Sequence, residues 1–227
     1  MTALSLPITT ERLTLRRFRL DDLDDLYAYQ SLPEVARYLY RPPLTREQCA
    51  ESLTRRAADQ AWTEDGDDLV IAVCRTGEAT VIGEVVLKLA STRARQTEIG
   101  WIFNPAYGGR GYATEAALAT ASVAFAELST HRLFARLDAL NTGSANVCER
   151  LGMRCEARLV ESHLDGDRWG TECVYATLAH EWKSNQPWPA AVAGPSTTTG
   201  PSTLRVRTRP AERTVSRQPA PRRPRHG

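Results

Sequence analysis

Hydrophobic and polar positions along the chain switch between two periods, two residues for strands and about 3.6 for helices. Ile8 to Phe18 alternates as a first strand, with Leu13 and Leu15 on one face and Thr14 and Arg16 on the other. Asp21 to Leu26 opens a helix that Asp21 can cap, with Asp24 and Asp25 where the helix dipole favours anions. Pro33 to Leu39 predicts one more helical turn, and Thr45-Arg46-Glu47-Gln48 opens a second helix reaching Trp62. Leu69 to Cys74 and Thr80 to Leu89 predict a hairpin around Thr76-Gly77-Glu78. Gly83, inside the second of these strands, predicts a bulge or a close backbone approach. Thr97 to Phe103 is a strand rich in β-branched and aromatic residues, stopped by Asn104-Pro105. A helix follows over Tyr112 to Leu128, with Leu118, Ala121, Phe125 and Leu128 on one face. Arg132 to Leu140 is another strand. Asn141 then opens a short helix that Gly152 ends, and Met153 to Asp165 closes against Arg168 to Leu178 as a hairpin. From Lys183 on, periodicity stops.

The chemistry concentrates between Thr97 and Leu128, where strand, glycine loop and helix follow one another. Gly108-Gly109-Arg110-Gly111 precedes the helix start. Glycines let the backbone approach an anion closely, and the unpaired amides of the first helical turn point at it. The dipole adds about half a positive charge there. The pattern predicts a diphosphate cradle. A P-loop would need Lys-Ser/Thr after its glycine, but Tyr112-Ala113 follows Gly111. A dinucleotide loop would need a third glycine where Thr114 stands.

Gly109-Arg110-Gly111-Tyr112-Ala113-Thr114-Glu115-Ala116 closely resembles the acetyl-CoA loop of the GNAT N-acetyltransferases. Asn141-Thr142-Gly143-Ser144, continuing to Leu151-Gly152-Met153, resembles that family's second signature. Its form is that of the branch of ribosomal-protein N-terminal (Rim-type) acetyltransferases. Thr10-Glu11-Arg12-Leu13-x-Leu15-Arg16 matches the same branch. One departure stands at Gly108, where the family usually has Gln or Arg; a cradle of backbone amides tolerates this with a reshaped loop.

The resemblance covers residues 8–182 and implies an α/β GNAT fold. Its sheet is mixed and mostly antiparallel, with a central splayed pair of parallel strands flanked by helices. It implies an acetyl-CoA-dependent N-acetyltransferase that moves an acetyl group to a primary amine by direct attack in a ternary complex. The acceptor is a small molecule or a protein N-terminus. Acetyl-CoA is the co-substrate and no metal is involved. The diphosphate falls to Gly108, Gly109, Arg110, Gly111, Tyr112, Ala113 and Thr114. The pantetheine arm falls to strand backbone at Trp101, Ile102 and Phe103 and to Asn141. An amide near Ile102 or Phe103 is the candidate to hold the thioester oxygen. Ser144 is the candidate proton donor to the leaving sulfur, against the alternative of a helix-start serine bonding a backbone amide. Glu98 is the leading candidate base, with Glu84 and Glu161 as alternatives. Cys148 and His131 read as structural. In this fold the first two helices commonly border the acceptor site, which makes Tyr38, Tyr40 and Arg41 candidates to touch the acceptor, with simple packing as the alternative.

Charge then divides the chain. Residues 183–227 carry nine Lys or Arg against one acid, Glu212, a net +8; the whole chain carries +2, so the remainder carries −6. Eight of the 13 prolines lie in this tail, which predicts a disordered Pro/Arg-rich extension to a domain at 8–182. It raises a second reading, a CoA-binding module whose tail docks on nucleic acid, ribosomes or acidic protein. No aromatic residue follows Trp188 for base stacking, which favours a solvated extension. Five cysteines with no Cys-x-x-Cys pair fit neither zinc nor a disulfide framework. With no apolar signal core and no membrane-length run, a cytoplasmic protein is expected. No pattern reads out an oligomeric state.

Overall fold

The computed structural model describes residues 4–58 and 60–184. These belong to the first of two units, Met1–Val192; the second, Ala193–Gly227, lies outside the described residues. The expected tail also lies outside them, apart from its first two positions. Lys183 and Ser184 extend a terminal helix, α6 (Ala179–Ser184), that the sequence pattern did not predict.

The sheet has eight strands: β1 (Ile8–Thr9), β2 (Leu13–Arg17), β3 (Asp68–Arg75), β4 (Val81–Ser91), β5 (Gln96–Phe103), β6 (Arg132–Asp138), β7 (Arg154–Asp165) and β8 (Arg168–Leu178). Their order is β1-β2-β3-β4-β5-β6-β8-β7. Every neighbouring pair is antiparallel except β5 and β6. Between β2 and β3 lie α1 (Leu23–Gln30), α2 (Pro33–Ala36) and α3 (Arg46–Ala57). The crossover from β5 to β6 is α4 (Tyr112–Glu127), and α5 (Thr142–Arg150) follows β6.

Two apolar layers sandwich the sheet, because strand side chains alternate between its faces. On one face Leu13, Leu15, Ile71, Val85 and Ile99 pack with the alanine-rich side of α4. Small residues let this helix approach closely: Ala116, Ala117, Ala121 and Ala124 are fully buried. On the other face Leu26 and Tyr29 of α1 and Cys49 and Leu53 of α3 pack on Val70 and Ala72. Trp182 of α6 stacks on Phe125 of α4, with ring centroids 5.3 Å apart.

Three local outcomes differ from the sequence pattern. The first strand is broken: Thr10 turns the chain between β1 and β2, its N–H donating to the Leu13 carbonyl at 2.9 Å and its hydroxyl oxygen accepting from Leu13 N–H at 3.0 Å. The helix after Arg19 is organised by Asp22 rather than Asp21. The Asp22 carboxylate accepts from Arg19 N–H at 2.7 Å and from both Arg16 guanidinium nitrogens at 2.8 Å. The second helix keeps its start, where Thr45 and Gln48 form a reciprocal cap, but ends at Ala57 instead of Trp62.

Gly83 fulfils both readings of its position. The register shifts where Val73 faces Gly83 but Cys74 faces Val81, leaving Ile82 as the extra residue. A Cβ on Gly83 would lie 2.6 Å from the Phe103 ring and 2.7 Å from the Ile102 carbonyl oxygen. Only glycine fits there, and it seats the end of β5 against β4.

Candidate functional site

The parallel pair opens into a fork. β5 and β6 are in register only at Gln96–Arg132, Thr97–Leu133 and Glu98–Phe134. β5 stays paired with β4 as far as Phe103, while β6 stays paired with β8 as far as Asp138. Among the described residues the β5 edge from Ile99 to Phe103 therefore has no partner strand on its β6 side. Unpaired strand backbone is a row of donors and acceptors that a ligand amide can complete.

A cleft of about 650 Å³ lies at the mouth of the fork. Trp101, Ile102 and Phe103 line it from β5. Gly108, Gly109 and Gly111 line it from the loop, and Tyr112, Ala113 and Thr114 from the first turn of α4. Asn141 and Ser144 line it from α5. The structure thus brings together every site residue expected from sequence except Arg110 and Glu98. The Arg110 carbonyl belongs to the loop's scaffold, as described below. Glu98 sits at the closed end of the fork, where its carboxylate accepts from Arg136 at 3.1 and 3.4 Å. It is not a lining residue of the cleft.

The loop presents donors without acceptors. Gly109 and Gly111 hold positive φ of 72° and 78°, a conformation that turns successive amides to one side. Gly111 is the N-terminal cap residue of α4 and supplies no capping side chain. Among the described residues the N–H groups of Gly109, Arg110 and Gly111 have no hydrogen-bond partner. The first amides of α4 lack intrahelical acceptors by geometry. A run of free donors at a dipole's positive end suits an anion.

The loop is held from below by the chain's first turn. Glu115, buried in α4, accepts from the Thr10 hydroxyl at 2.6 Å, from Arg12 N–H at 3.1 Å and from Arg12 Nε at 2.6 Å. The guanidinium also lies over the Tyr112 ring at 5.1 Å, and its Nη1 donates to the Arg110 carbonyl at 3.0 Å. One arginine therefore ties helix, ring and loop. Sequence alone gave no signal for this pairing, since Glu115 reads as an ordinary acid in a helix's first turn.

Asn141 caps α5, its Oδ1 accepting from Ser144 N–H at 3.0 Å. The Ser144 hydroxyl makes no hydrogen bond among the described residues. The alternative of a helix-start hydroxyl bonding an amide therefore fails here, and the hydroxyl is free at the cleft.

The acceptor corner differs in part from expectation. Glu34, Val35, Tyr38 and Leu39, from α2 and the turn after it, line the cleft. Tyr40 instead donates to Asp138 Oδ2 at 3.0 Å and packs its ring on His163. Arg41 turns into a buried network and bonds Gln30. Its centre is Glu84, fully buried on β4, which accepts from Tyr29 at 2.9 Å, Gln30 at 3.2 Å and Arg56 at 2.8 Å. Burial next to this carboxylate raises the Tyr29 phenol well above its usual range. Glu84 does not line the cleft. Burial also pushes the Cys148 thiol up to about 12, so no thiolate forms there near neutral pH.

Against known proteins, residues 12–154 match the family model described as an acetyltransferase (GNAT) domain. The chain is 33% identical over 175 residues to the uncharacterised N-acetyltransferase YnaD of Bacillus subtilis, covering 77% of this chain and 98% of that one. A GNAT-family acetyltransferase from Bacillus anthracis, 31% identical, superposes with a TM-score of 0.70 over 78% of this chain and all of its own. The Vibrio cholerae spermidine N-acetyltransferase, solved with CoA and spermine, is 20% identical. It shares the fold at a TM-score of 0.66 over 77% of this chain and 99% of its own.

Proposed function

Because the chain belongs to the GNAT acetyltransferase family, we propose that its cleft holds acetyl-CoA and a primary amine together, the amine attacking the thioester directly. The enzyme is an acetyl-CoA-dependent acyltransferase. The observation carrying the site assignment is the uncapped start of α4 facing the open fork of β5 and β6. Free amides fit a diphosphate, and unpaired strand backbone fits an amide-bearing arm. The residues present therefore suit the carrier.

Acetyl-CoA supplies the activated acyl carbon. The chain's own groups do the rest. The loop and first-turn amides grip the diphosphate. A main-chain N–H near Ile102 or Phe103 holds the carbonyl oxygen as charge builds on it, an effect worth about one hundred- to one thousand-fold in rate. The Ser144 hydroxyl donates a proton to the sulfur as the carbon–sulfur bond breaks and the nitrogen–carbon bond forms. The amine's own proton leaves to water in the open cleft, and the same water returns a proton to Ser144. Glu34 is the one carboxylate that lines it among the described residues, and it attracts the acceptor's cationic form.

The opening Thr10-Glu11-Arg12 and the Asn141-x-x-Ser144 helix resemble the ribosomal-protein N-terminal branch, which supports a protein N-terminus as acceptor. The test is a thiol-release assay with acetyl-CoA against N-terminal peptides, polyamines and amino acids. Turnover with a peptide N-terminus supports this reading. Turnover with free polyamines alone would replace the acceptor, and carrier binding without any turnover would favour a binding module.

A further inference from the structure

Asp138, the last residue of β6, is 2% exposed, and its two carboxylate oxygens serve different walls of the cleft. Oδ1 accepts from Leu140 N–H at 2.6 Å, while the Asp138 main-chain carbonyl accepts from Asn141 N–H at 2.8 Å. These two bonds form the turn that delivers Asn141 and Ser144 to the cleft. Oδ2 accepts from the Tyr40 hydroxyl at 3.0 Å, across 98 positions of sequence. Tyr38 and Leu39, directly before Tyr40, line the acceptor side. One buried carboxylate thus ties the acceptor wall to the helix that carries Ser144.

The tie holds Tyr40 in an unfavourable conformation. Its φ of 51° is left-handed, which is rare for a bulky side chain and needs support from its surroundings. The support comes from the closing hairpin. The Tyr40 ring packs on the His163 imidazole, with centroids 3.9 Å apart. His163 on β7 faces Gly170 on β8 in register, and a Cβ on Gly170 would lie 2.0 Å from His163 Nε2. That nitrogen is buried and has no hydrogen-bond partner among the described residues, so this end of the ring serves by packing. Glycine leaves a slot, histidine fills it, and the tyrosine rests on the histidine.

On the reading of the cleft given above, the amine is presented by the acceptor wall and the leaving sulfur receives its proton from Ser144. We propose that Tyr40 is a positioning residue that fixes the spacing of these two groups through Asp138. Tyr40 does not line the cleft itself. A misplacement of about 1 Å between reacting groups can cost about one hundredfold in rate, so a single tie of this kind matters.

Two variants test the two halves of the tie. Tyr40→Phe keeps the ring on His163 and removes the hydroxyl. Gly170→Ala keeps the hydroxyl and drives the imidazole off the ring. Hydrogen exchange read by mass spectrometry should rise in both variants at residues 34–41 and, together with them, at 139–144, with β3 and β4 unchanged. Coenzyme A affinity by calorimetry should stay within about twofold. Turnover is measured with acetyl-CoA and two probes, an alanine-headed hexapeptide and spermidine. With a probe that the wild type acetylates, Tyr40→Phe should lower kcat about tenfold. In a Ser144→Ala background that fall should shrink to about twofold or less, which a merely structural role would not produce.

Exchange that rises at residues 34–41 alone overturns the inference. So does an unchanged kcat in Tyr40→Phe, or a tenfold fall that persists without the Ser144 hydroxyl. Each of these, in an enzyme that turns over, leaves the functional reading standing. A wild type that acetylates neither probe removes that reading and the catalytic role of Tyr40 with it, and the exchange pattern then decides the tie alone.

Discussion

Arg12 Nη2 and Glu115 Oε2 lie 2.5 Å apart, joining the turn after β1 to the first turn of α4 across 103 positions of sequence. The carboxylate is 6% exposed and the guanidinium 47%. The pair is thus half-open to water on the arginine side, and its worth is below that of a fully buried pair. Arg12→Gln leaves Glu115 with the Thr10 hydroxyl and one amide but frees the Arg110 carbonyl. Coenzyme A affinity should fall about tenfold, or about 1.4 kcal/mol, by calorimetry. Thermal unfolding should move down by several degrees, and an unchanged affinity would show that the loop keeps its shape without the tie.

Gly111 tests the cradle itself. Its φ of 78° is strained for any other residue, and a Cβ would sit 3.6 Å from Arg12 Nη2. Gly111→Val adds a branched side chain where the proposed cradle would receive a diphosphate. Coenzyme A affinity should drop at least about tenfold in a variant whose circular dichroism matches the wild type.

Ser144→Ala removes a hydroxyl that no other group in the described structure uses. Stability should therefore stay within about 0.5 kcal/mol. If the hydroxyl protonates the leaving sulfur, kcat should fall about one hundredfold with coenzyme A affinity nearly constant. A loss confined to affinity would make Ser144 a binding residue only.

Glu98 and Glu84 separate under substitution. Glu98→Gln loses a partly exposed pair with Arg136 at the closed end of the fork, so kcat should change by about twofold or less. Glu84→Ala strips a buried network of its acceptor and leaves Arg56, Tyr29 and Gln30 without it. It should cost about 3–5 kcal/mol in chemical denaturation. With neither acid in the cleft, kcat/KM should rise with pH up to the pKa of the acceptor amine. A limb fixed at one lower pH for several acceptors of different pKa would instead reveal a protein base.

The cysteines give a check on burial. With its thiol pushed up to about 12, Cys148 is almost wholly neutral below pH 9, and alkylation should pass it by. Cys155, exposed on β7, should be modified first, read by mass spectrometry. Activity should survive that modification, because no cysteine lines the cleft.

The sequence by itself determined the order of strands and helices, the glycine loop before α4 and most of the residues around the cleft. These follow from local rules: two- and 3.6-residue periods, Pro and Gly stops, and glycines before a helix. Gly83 was legible as a special position because a glycine inside a strand has few other uses. What only the tertiary structure decided was which charged groups meet. Glu84, Glu98 and Glu115 look alike in sequence, yet one is locked in a buried network, one is paired at the fork's closed end, and one anchors the loop from underneath. The partners Arg56, Arg136 and Arg12 lie 28, 38 and 103 positions away. Long-range pairing of side chains leaves no periodic trace along the chain, because it is set by how the layers stack and not by any local backbone preference.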